Sequence, residues 1–256
     1  MPKILIAGCG DIGTSLGKAL VEKGHNVVGM RRHPPVNNMG IRFIAADLTN
    51  PAELAGLETD FDQVFFLAAP MQHDLPAYRE VYEFGLKNLL YRLSQNHHSP
   101  HWISVSSTSV YGQSNGEWVD EDSLTEPKKY NGQLQLLSEQ SVLAENKSNL
   151  VVRFAGIYGP GRKRLLNIAS RGDPIQFSPP YYTNRIHKED CIGVLIFLFE
   201  KRMAGEQLHS HYLASDDEPA PMWEVVSWLA KQLKCRQPEI KQVDKDATQN
   251  KRCCNK

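Results

Sequence analysis

The sequence has no long apolar run, no excess of one charge and no cysteine pair of the C-x-x-C type. Its longest apolar run, Ile192 to Phe199, is far shorter than the about 20 residues that cross a bilayer. The 29 basic and 29 acidic residues balance, so no net field favours nucleic acid or a membrane surface. The five cysteines fit reduced thiols. Because a predicted strand follows Met1 almost at once, we expect no secretory signal and a cytoplasmic protein.

A glycine-rich turn lies near the start of the chain, between a predicted strand at residues 3–7 and a predicted helix from about Asp11 to Lys23. The turn reads G-x-G-x-x-G, with Gly8, Gly10 and Gly13. Such glycines allow a tight turn, close approach of a pyrophosphate and close helix-on-strand packing, while the helix N-terminus offers N–H groups to phosphates. The pattern predicts dinucleotide binding, with Asp11 and Ile12 beside the ligand. The alternative is a turn that serves packing alone.

Strands and helices alternate through the first 155 residues. Further strands are predicted at 41–44, 63–69, 102–107 and 150–154, with helices opening at Asn50-Pro51 and covering 78–96 and 131–145. This alternation predicts a doubly wound parallel α/β sheet whose strand order reverses near the first strand, where ligands bind. Glycines and prolines interrupt the pattern later. We therefore expect a dinucleotide-binding domain at 1–155 and a smaller, irregular substrate lobe at 156–256 that covers the crevice.

Two arginines follow the second predicted strand (residues 27–30), where an acidic residue would hold the ribose hydroxyls of NAD. Arg31 and Arg32 can instead hold a 2′-phosphate through charge-assisted hydrogen bonds, which favours NADP while leaving NAD open. The alternative is solvated loop charge.

Three later segments, taken with the glycine turn, resemble one family. Ser106–Gly112 resembles its S-S-x-x-V-Y-G segment, Arg153–Gly161 its R-x-x-x-I-Y-G-P-G turn, and Asn184–Asp190 the segment before a lobe helix. The chain is thereby identified as a member of the extended short-chain dehydrogenases/reductases, the NAD(P)-dependent epimerase/dehydratase-like group. This resemblance implies a Rossmann-type fold, a nicotinamide cofactor and an oxidoreductase or epimerase-type activity.

The family's Tyr-x-x-x-Lys pair is missing. Alignment through Gly132 and Glu139 puts Asn131 at the tyrosine position and Gln135 at the lysine position, and a shift by one residue offers Tyr130 without a following lysine. An isolated tyrosine with a pKa near ~10 is a poor base at neutral pH. The chain resembles the atypical, YeeZ-like branch of the family, for which the resemblance implies NAD(P) binding without an established reaction.

The resemblance also assigns roles to other residues. It implies that Asp47 and Leu48 contact the adenine, that Ala68 and Ala69 let backbone lie against the cofactor, and that Ser107 matches the catalytic serine. Each has a structural alternative: capping of the next helix by Thr49 or Asn50, packing of small residues, and a hydroxyl that bonds local backbone. Tyr130 and Ser107 are the candidate catalytic residues.

Several charged or metal-type residues carry weaker hypotheses. Arg153, Arg162, Arg164, Arg185 and His187 can meet an anionic ligand or form structural salt bridges. His97, His98 and His101 flank Ser99-Pro100 in a predicted loop, and we expect no metal site there. The basic residues near the end of the sequence are mixed with acids and lack aromatics, which argues against nucleic acid.

Three functions follow from these patterns. The first is an NADP-binding oxidoreductase or epimerase with a degenerate active site and a small-molecule substrate that the lobe loops select. The second is a non-catalytic NADP-binding sensor that signals through a partner surface. The third, a structural protein with an empty crevice, is disfavoured by the glycines and the arginine pair.

Overall fold

The amino-terminal part of the chain alternates short strands and helices, as its apolar pattern predicts. The structure is a computed structural model that describes residues 1–96, 99–242 and 252–254. Asn50 caps the predicted short helix by accepting a hydrogen bond from the Ala52 N–H, with proline in the first turn. The elements are β1 (Lys3–Ala7), α1 (Asp11–Glu22), β2 (Asn26–Arg31), β3 (Arg42–Ala45), α2 (Pro51–Leu54) and β4 (Gln63–Phe66).

The middle of the chain departs from the predicted pattern in one helix. The expected continuous helix over residues 78–96 begins earlier, is interrupted by a π-helical segment and ends at Leu93. Within this helix Phe84 is 46% exposed, while Tyr82 is buried. The elements are α3 (Leu75–Arg79), the π-helical segment (Glu80–Gly85), α4 (Leu86–Leu93), β5 (His101–Ser107), β6 (Trp118–Val119), α5 (Tyr130–Glu145) and β7 (Leu150–Phe154).

Between residue 155 and residue 242 the structure has three helices joined by short strands and turns. Many of the glycines and prolines there lie in the turns between these elements. None of the helices in the described ranges is both long and apolar enough to span a membrane. The elements are β8 (Gly156–Tyr158), α6 (Arg164–Arg171), β9 (Tyr182–Thr183), β10 (Arg185–His187), α7 (Lys188–Met203), β11 (His211–Ala214), β12 (Ala220–Pro221), α8 (Met222–Gln232) and β13 (Cys253–Cys254).

A seven-stranded sheet forms the centre of the fold, in the order β11-β7-β5-β4-β1-β2-β3. The chain moves outward from β1 to β3 in one direction and from β4 onward in the other, so the order reverses between β1 and β4. These two strands are parallel, as are the pairs β1–β2, β2–β3 and β4–β5. The predicted α/β fold class and the predicted reversal are confirmed.

The hydrophobic core holds the carboxyl ends of the central strands in place. β4 is buried along its whole length, and aliphatic and aromatic side chains from β1, β2 and β4 pack with those of α4. Each fully buried leucine or phenylalanine contributes roughly 1.5–3 kcal/mol through removal of apolar surface from water. The packed core therefore fixes the positions at which the loops after β1, β2 and β4 begin.

The described residues group into two compact units. One comprises Met1–Val110, Pro127–Arg153 and Ile192–Tyr212, and the other comprises Tyr111–Glu126, Phe154–Cys191 and the described part of residues 213–256. Every candidate cofactor or catalytic residue lies in the first unit. The units interleave along the sequence, and the domain division at residue 155 stays a prediction.

Candidate functional site

Two glycines of the turn between β1 and α1 are required by packing. Gly8 has φ +85°, and a Cβ atom there would lie 2.3 Å from the backbone nitrogen of Ala68. A Cβ at Gly13 would lie 3.0 Å from the carbonyl oxygen of Gly8 and from the side chain of Ile6. A side chain at position 8 would therefore need the backbone after β4 to move, and one at position 13 would crowd the helix against the strand.

Gly10 is different, because the nearest atom to a Cβ there is the Gly8 carbonyl oxygen at 3.9 Å. Among the described residues, packing gives no reason for a glycine at this position. It is the N-cap of α1 and makes no side-chain capping bond. Asp11 is exposed in the first turn and Ile12 is half-buried. The turn therefore fits a pyrophosphate on its open side.

The two arginines at the end of β2, Arg31 within the strand and Arg32 directly after it, make different contacts. The half-buried Arg31 donates from Nη1 to the carbonyl oxygen of Cys9, at 3.3 Å, which places its guanidinium against the glycine turn. Arg32 is half exposed, with Nη1 3.8 Å from Oδ2 of Asp47 and Nη2 2.7 Å from the sulfur of Met71. Both cations therefore lie beside residues of the candidate cofactor crevice.

Asp47 and Leu48 form the start of the loop after β3. Asp47 Oδ1 accepts hydrogen bonds from the N–H and the hydroxyl of Thr49, at 2.9 and 2.8 Å. Burial by itself would raise the pKa of Asp47, but these bonds and the charge of Arg32 together hold it below its ordinary value. Leu48 accepts a hydrogen bond from the Asn88 side chain on its carbonyl oxygen, at 3.0 Å.

Ala68 and Ala69 follow the end of β4, which stops at Phe66 rather than at the predicted residue 69. The backbone of Ala68 is the surface against which Gly8 packs. One hydrogen bond beyond Phe66, from Leu67 N to Ala7 O at 2.8 Å, continues the pairing of β4 with β1. The small side chains thus lie where the loops after β1 and β4 approach most closely.

The candidate catalytic hydroxyls each make a hydrogen bond to the backbone. Ser107 Oγ accepts from the N–H of Ser109, at 3.1 Å, which engages the oxygen and not the hydroxyl proton. Tyr130, the first residue of α5, donates its hydroxyl to the carbonyl oxygen of His73, at 2.7 Å. A Cβ at Gly132 would lie 2.3 Å from the Ser109 carbonyl oxygen, so the start of α5 packs on the loop after β5.

Gln135, at the lysine position of the family, lies inside the fold. It is 8% exposed, and its side chain is hydrogen-bonded to the phenol of Tyr82, which belongs to the π-helical segment. Burial raises the pKa of Tyr82 above its ordinary value, and the bond to Gln135 offsets part of that rise. A neutral amide and a neutral phenol therefore meet where the family has an ammonium group.

Tyr82 is not among the candidate site residues that the sequence indicates. Tyr78 and Tyr82 are spaced by four residues, a spacing that places two side chains on one helical face. Their rings lie 5.6 Å apart, and the Tyr78 ring is edge-to-face with that of Tyr130 at 5.5 Å. The i, i+4 tyrosine pair was the available signal.

Two of the arginine hypotheses in the later motifs, those for Arg153 and Arg185, are better explained by structural contacts. Arg153 forms a buried ion pair with Glu139, with Nη2 2.8 Å from Oε2. Arg185 donates to Thr183 and to the Glu218 carbonyl oxygen, and its Nη2 lies 3.4 Å from Asp216. These guanidinium groups hold the protein's own carboxylates and carbonyls.

No metal site is found in the described part of the chain, where no three metal-binding side chains cluster. His101 begins β5 rather than lying in a loop, while His97 and His98 lie outside the described residues.

None of the five cysteines forms a disulfide. Cys9, within the glycine turn, is buried, and burial raises the pKa of its thiol to about 11.

Comparison with known proteins adds independent evidence. The family model for the RmlD substrate binding domain matches residues 2–253. Protein YeeZ of Escherichia coli strain K12 is 27% identical over 227 residues, which cover 86% of this chain and 80% of YeeZ.

Solved structures show the same fold. One from Methylobacillus flagellatus, provisionally described as an NAD-dependent epimerase/dehydratase, is 31% identical with a TM-score of 0.80, covering 99% of this chain and 88% of its own. MoeE5 in complex with UDP-glucose and NAD has the same TM-score at 24% identity, covering 98% and 89%. The chain therefore belongs to the RmlD substrate-binding domain family, among the extended short-chain dehydrogenase/reductase proteins.

Proposed function

We propose that the chain binds a nicotinamide adenine dinucleotide at its glycine turn and acts as an NADP-dependent oxidoreductase or epimerase with an altered proton-transfer group. The observation that carries the proposal is the contrast between the glycines. Gly8 and Gly13 are needed by packing, whereas Gly10 leaves space on the side where the helix N–H groups lie. A ligand with a pyrophosphate uses both properties.

The arginine pair supports NADP over NAD. Arg31 is the last residue of β2 and Arg32 follows it, and the carboxyl end of β2 lies beside that of β1. A 2′-phosphate there gains charge-assisted hydrogen bonds that a ribose hydroxyl lacks. We expect NADP to bind about tenfold more tightly than NAD, which corresponds to about 1.4 kcal/mol.

The bound nicotinamide would supply hydride transfer, and this chain's own residues would orient the substrate and move the proton. Ser107 keeps its hydroxyl proton for donation to a substrate oxygen, since its oxygen accepts the local bond. Tyr130 can exchange a proton after its bond to the His73 carbonyl opens. Because the family's neighbouring lysine is missing, we expect slow turnover or a substrate that carries its own acid–base group.

Two matched glycine variants test the proposed binding site. Gly10→Ala places a methyl group in the open space, so dinucleotide affinity falls at least about tenfold while the melting temperature changes by less than about 2 °C. Gly8→Ala adds a positive-φ cost of roughly 1–2 kcal/mol to a backbone clash, so its melting temperature falls by at least about 5 °C. Calorimetric titration with NADP and NAD, with thermal unfolding, measures both. Unchanged affinity in Gly10→Ala would remove the glycine turn as the site.

A non-catalytic NADP sensor is the second candidate, and the Gln135–Tyr82 contact favours it, because it replaces the family's ionisable pair by neutral groups. Oxidation of NADPH, followed at 340 nm with a panel of carbonyl compounds, detects a reductase. Proton NMR of nucleotide sugars detects an epimerase, which returns the hydride and leaves the cofactor unchanged, so the two assays together separate an enzyme from a sensor. Turnover that Tyr130→Phe abolishes supports the enzyme and Tyr130. Turnover unaffected by that substitution eliminates Tyr130, and tight binding without turnover of any compound supports the sensor.

A further inference from the structure

Arg32 and Asp47 form an ion pair at the carboxyl ends of neighbouring strands. β2 and β3 are parallel, with Arg31 opposite Ala45, so the residues that follow them come together. Arg32 Nη1 lies 3.8 Å from Asp47 Oδ2, and the two side chains are 50% and 30% exposed. Arg32 therefore does not face the crevice as an isolated cation.

The Asp47 carboxylate is fixed by its neighbours. Its Oδ1 accepts two hydrogen bonds from Thr49, and its own backbone N–H donates to Glu53 Oε2 at 2.8 Å. These contacts leave Oδ2 as the oxygen that faces Arg32. Because hydrogen bonds and the arginine hold its pKa low, the carboxylate stays charged at neutral pH.

We propose that Asp47 is a specificity-determining residue of the dinucleotide site, which weakens binding of a 2′-phosphate on Arg32 and leaves binding of a 2′-hydroxyl nearly unchanged. The inference rests on the proposed cofactor function. A phosphate that approaches Arg32 also approaches a negative oxygen only 3.8 Å from the same guanidinium. A hydroxyl group carries no charge and escapes this repulsion. Arg31, held at the Cys9 carbonyl, supplies the net positive charge that keeps NADP favoured.

The expected size follows from Coulomb's law in water. A phosphate with a charge near −2 and a carboxylate roughly 6 Å away repel enough to weaken binding by about five- to tenfold at low salt. Since the pair is exposed, ions screen the effect, and it shrinks strongly near about 0.5 M salt.

Asp47→Asn tests the inference. The amide oxygen still accepts the Thr49 bonds, so the loop is kept while the charge is removed. Glu58→Gln is the matched control, because Glu58 also pairs with an arginine, with Arg42 Nη2 2.7 Å from Oε2, but beside the opposite end of β3. Calorimetry of the full chain with NADP and NAD, at low and high salt, gives the ratio of the two dissociation constants.

We expect Asp47→Asn to raise the preference for NADP about five- to tenfold at low salt, with less change at high salt, and Glu58→Gln to leave it unchanged. Equal weakening of both dinucleotides by Asp47→Asn would assign Asp47 to the shared adenosine half and overturn the inference. So would an unchanged ratio when the parent protein binds NADP. If the parent protein binds neither dinucleotide, the proposed function itself fails, and the inference with it.

Discussion

The buried ion pair between Arg153 on β7 and Glu139 on α5 gives the sharpest stability prediction. The Arg153 side chain is 4% exposed and that of Glu139 is 1% exposed, so both charges are almost fully removed from water. Nε and Nη2 of Arg153 both bond to the Glu139 carboxylate, at 2.8 to 3.3 Å. His211 Nε2 lies 3.8 Å from the same carboxylate.

Replacing one partner leaves the other charge buried without this ion pair, and His211, at 3.8 Å, offsets the Glu139 charge only when it is protonated. Arg153→Met or Glu139→Leu should each lower the free energy of unfolding by about 3–5 kcal/mol. In a chain of this size each kcal/mol shifts the melting temperature by about 2–4 °C, so each single variant should melt roughly 10 °C lower. The double variant removes both charges, and we expect it to melt higher than either single one, because apolar replacement of a buried pair is often close to neutral.

Thermal unfolding and urea titration of the parent, the two single variants and the double variant complete the cycle. Dinucleotide affinity is measured alongside them, and it should stay within about twofold in all variants that fold. The reasoning is refuted if Arg153→Met melts within about 2 °C of the parent, or if the losses of the single variants simply add. Loss of ligand affinity without loss of stability would instead restore Arg153 as an anion-binding residue.

Three further predictions concern other contacts. Gly132→Ala should lower the melting temperature by at least about 5 °C, because its Cβ would lie 2.3 Å from the Ser109 carbonyl oxygen; a shift below about 1 °C would contradict that packing. Arg202→Met should cost about 2–4 kcal/mol in urea unfolding, because the guanidinium, whose pKa burial lowers to about 10, donates to three partner residues. Dithiobis(nitrobenzoate) should label one thiol quickly in the native protein, that of the half-buried Cys235. Cys235→Ser should abolish that fast phase, and fast reaction of the buried Cys9 would refute this prediction.

The first βαβ unit could be predicted from the sequence because its signals are local. Glycine spacing, apolar periodicity and a glycine stop lie within thirty residues, and the predicted helix from Asp11 to Lys23 differs from the observed one by a single residue. The motif assigns the glycines their general roles, but the contact of Gly8 could not be predicted. It depends on where the backbone of Ala68 lies, and the chain passes that point sixty residues later.

The π-helical segment had no clear sequence signal. A Cβ at Gly85 would lie 2.9 Å from the carbonyl oxygen of Glu80 and 3.0 Å from the Leu48 side chain, so the local backbone depends on a tertiary contact. The partners of Arg153 and Arg185 are also distant or irregular in sequence. A motif therefore identified these arginines as charged groups of interest, whereas only the fold determines which carboxylates they meet.

The π-helical segment also accommodates one extra residue within an otherwise regular helix. Each residue after it therefore lies about 100° from the direction that uninterrupted α-helical winding would give it. The stripe Leu86, Leu89 and Leu93 faces the interior only with that offset, and Tyr82 reaches Gln135 from within it. Removing one residue here would restore regular winding with both halves still facing the sheet, but it would change which side chain lies beside Gln135. Relatives of different length in this helix are therefore expected to differ in what lies beside position 135, even where the rest of their sequence aligns.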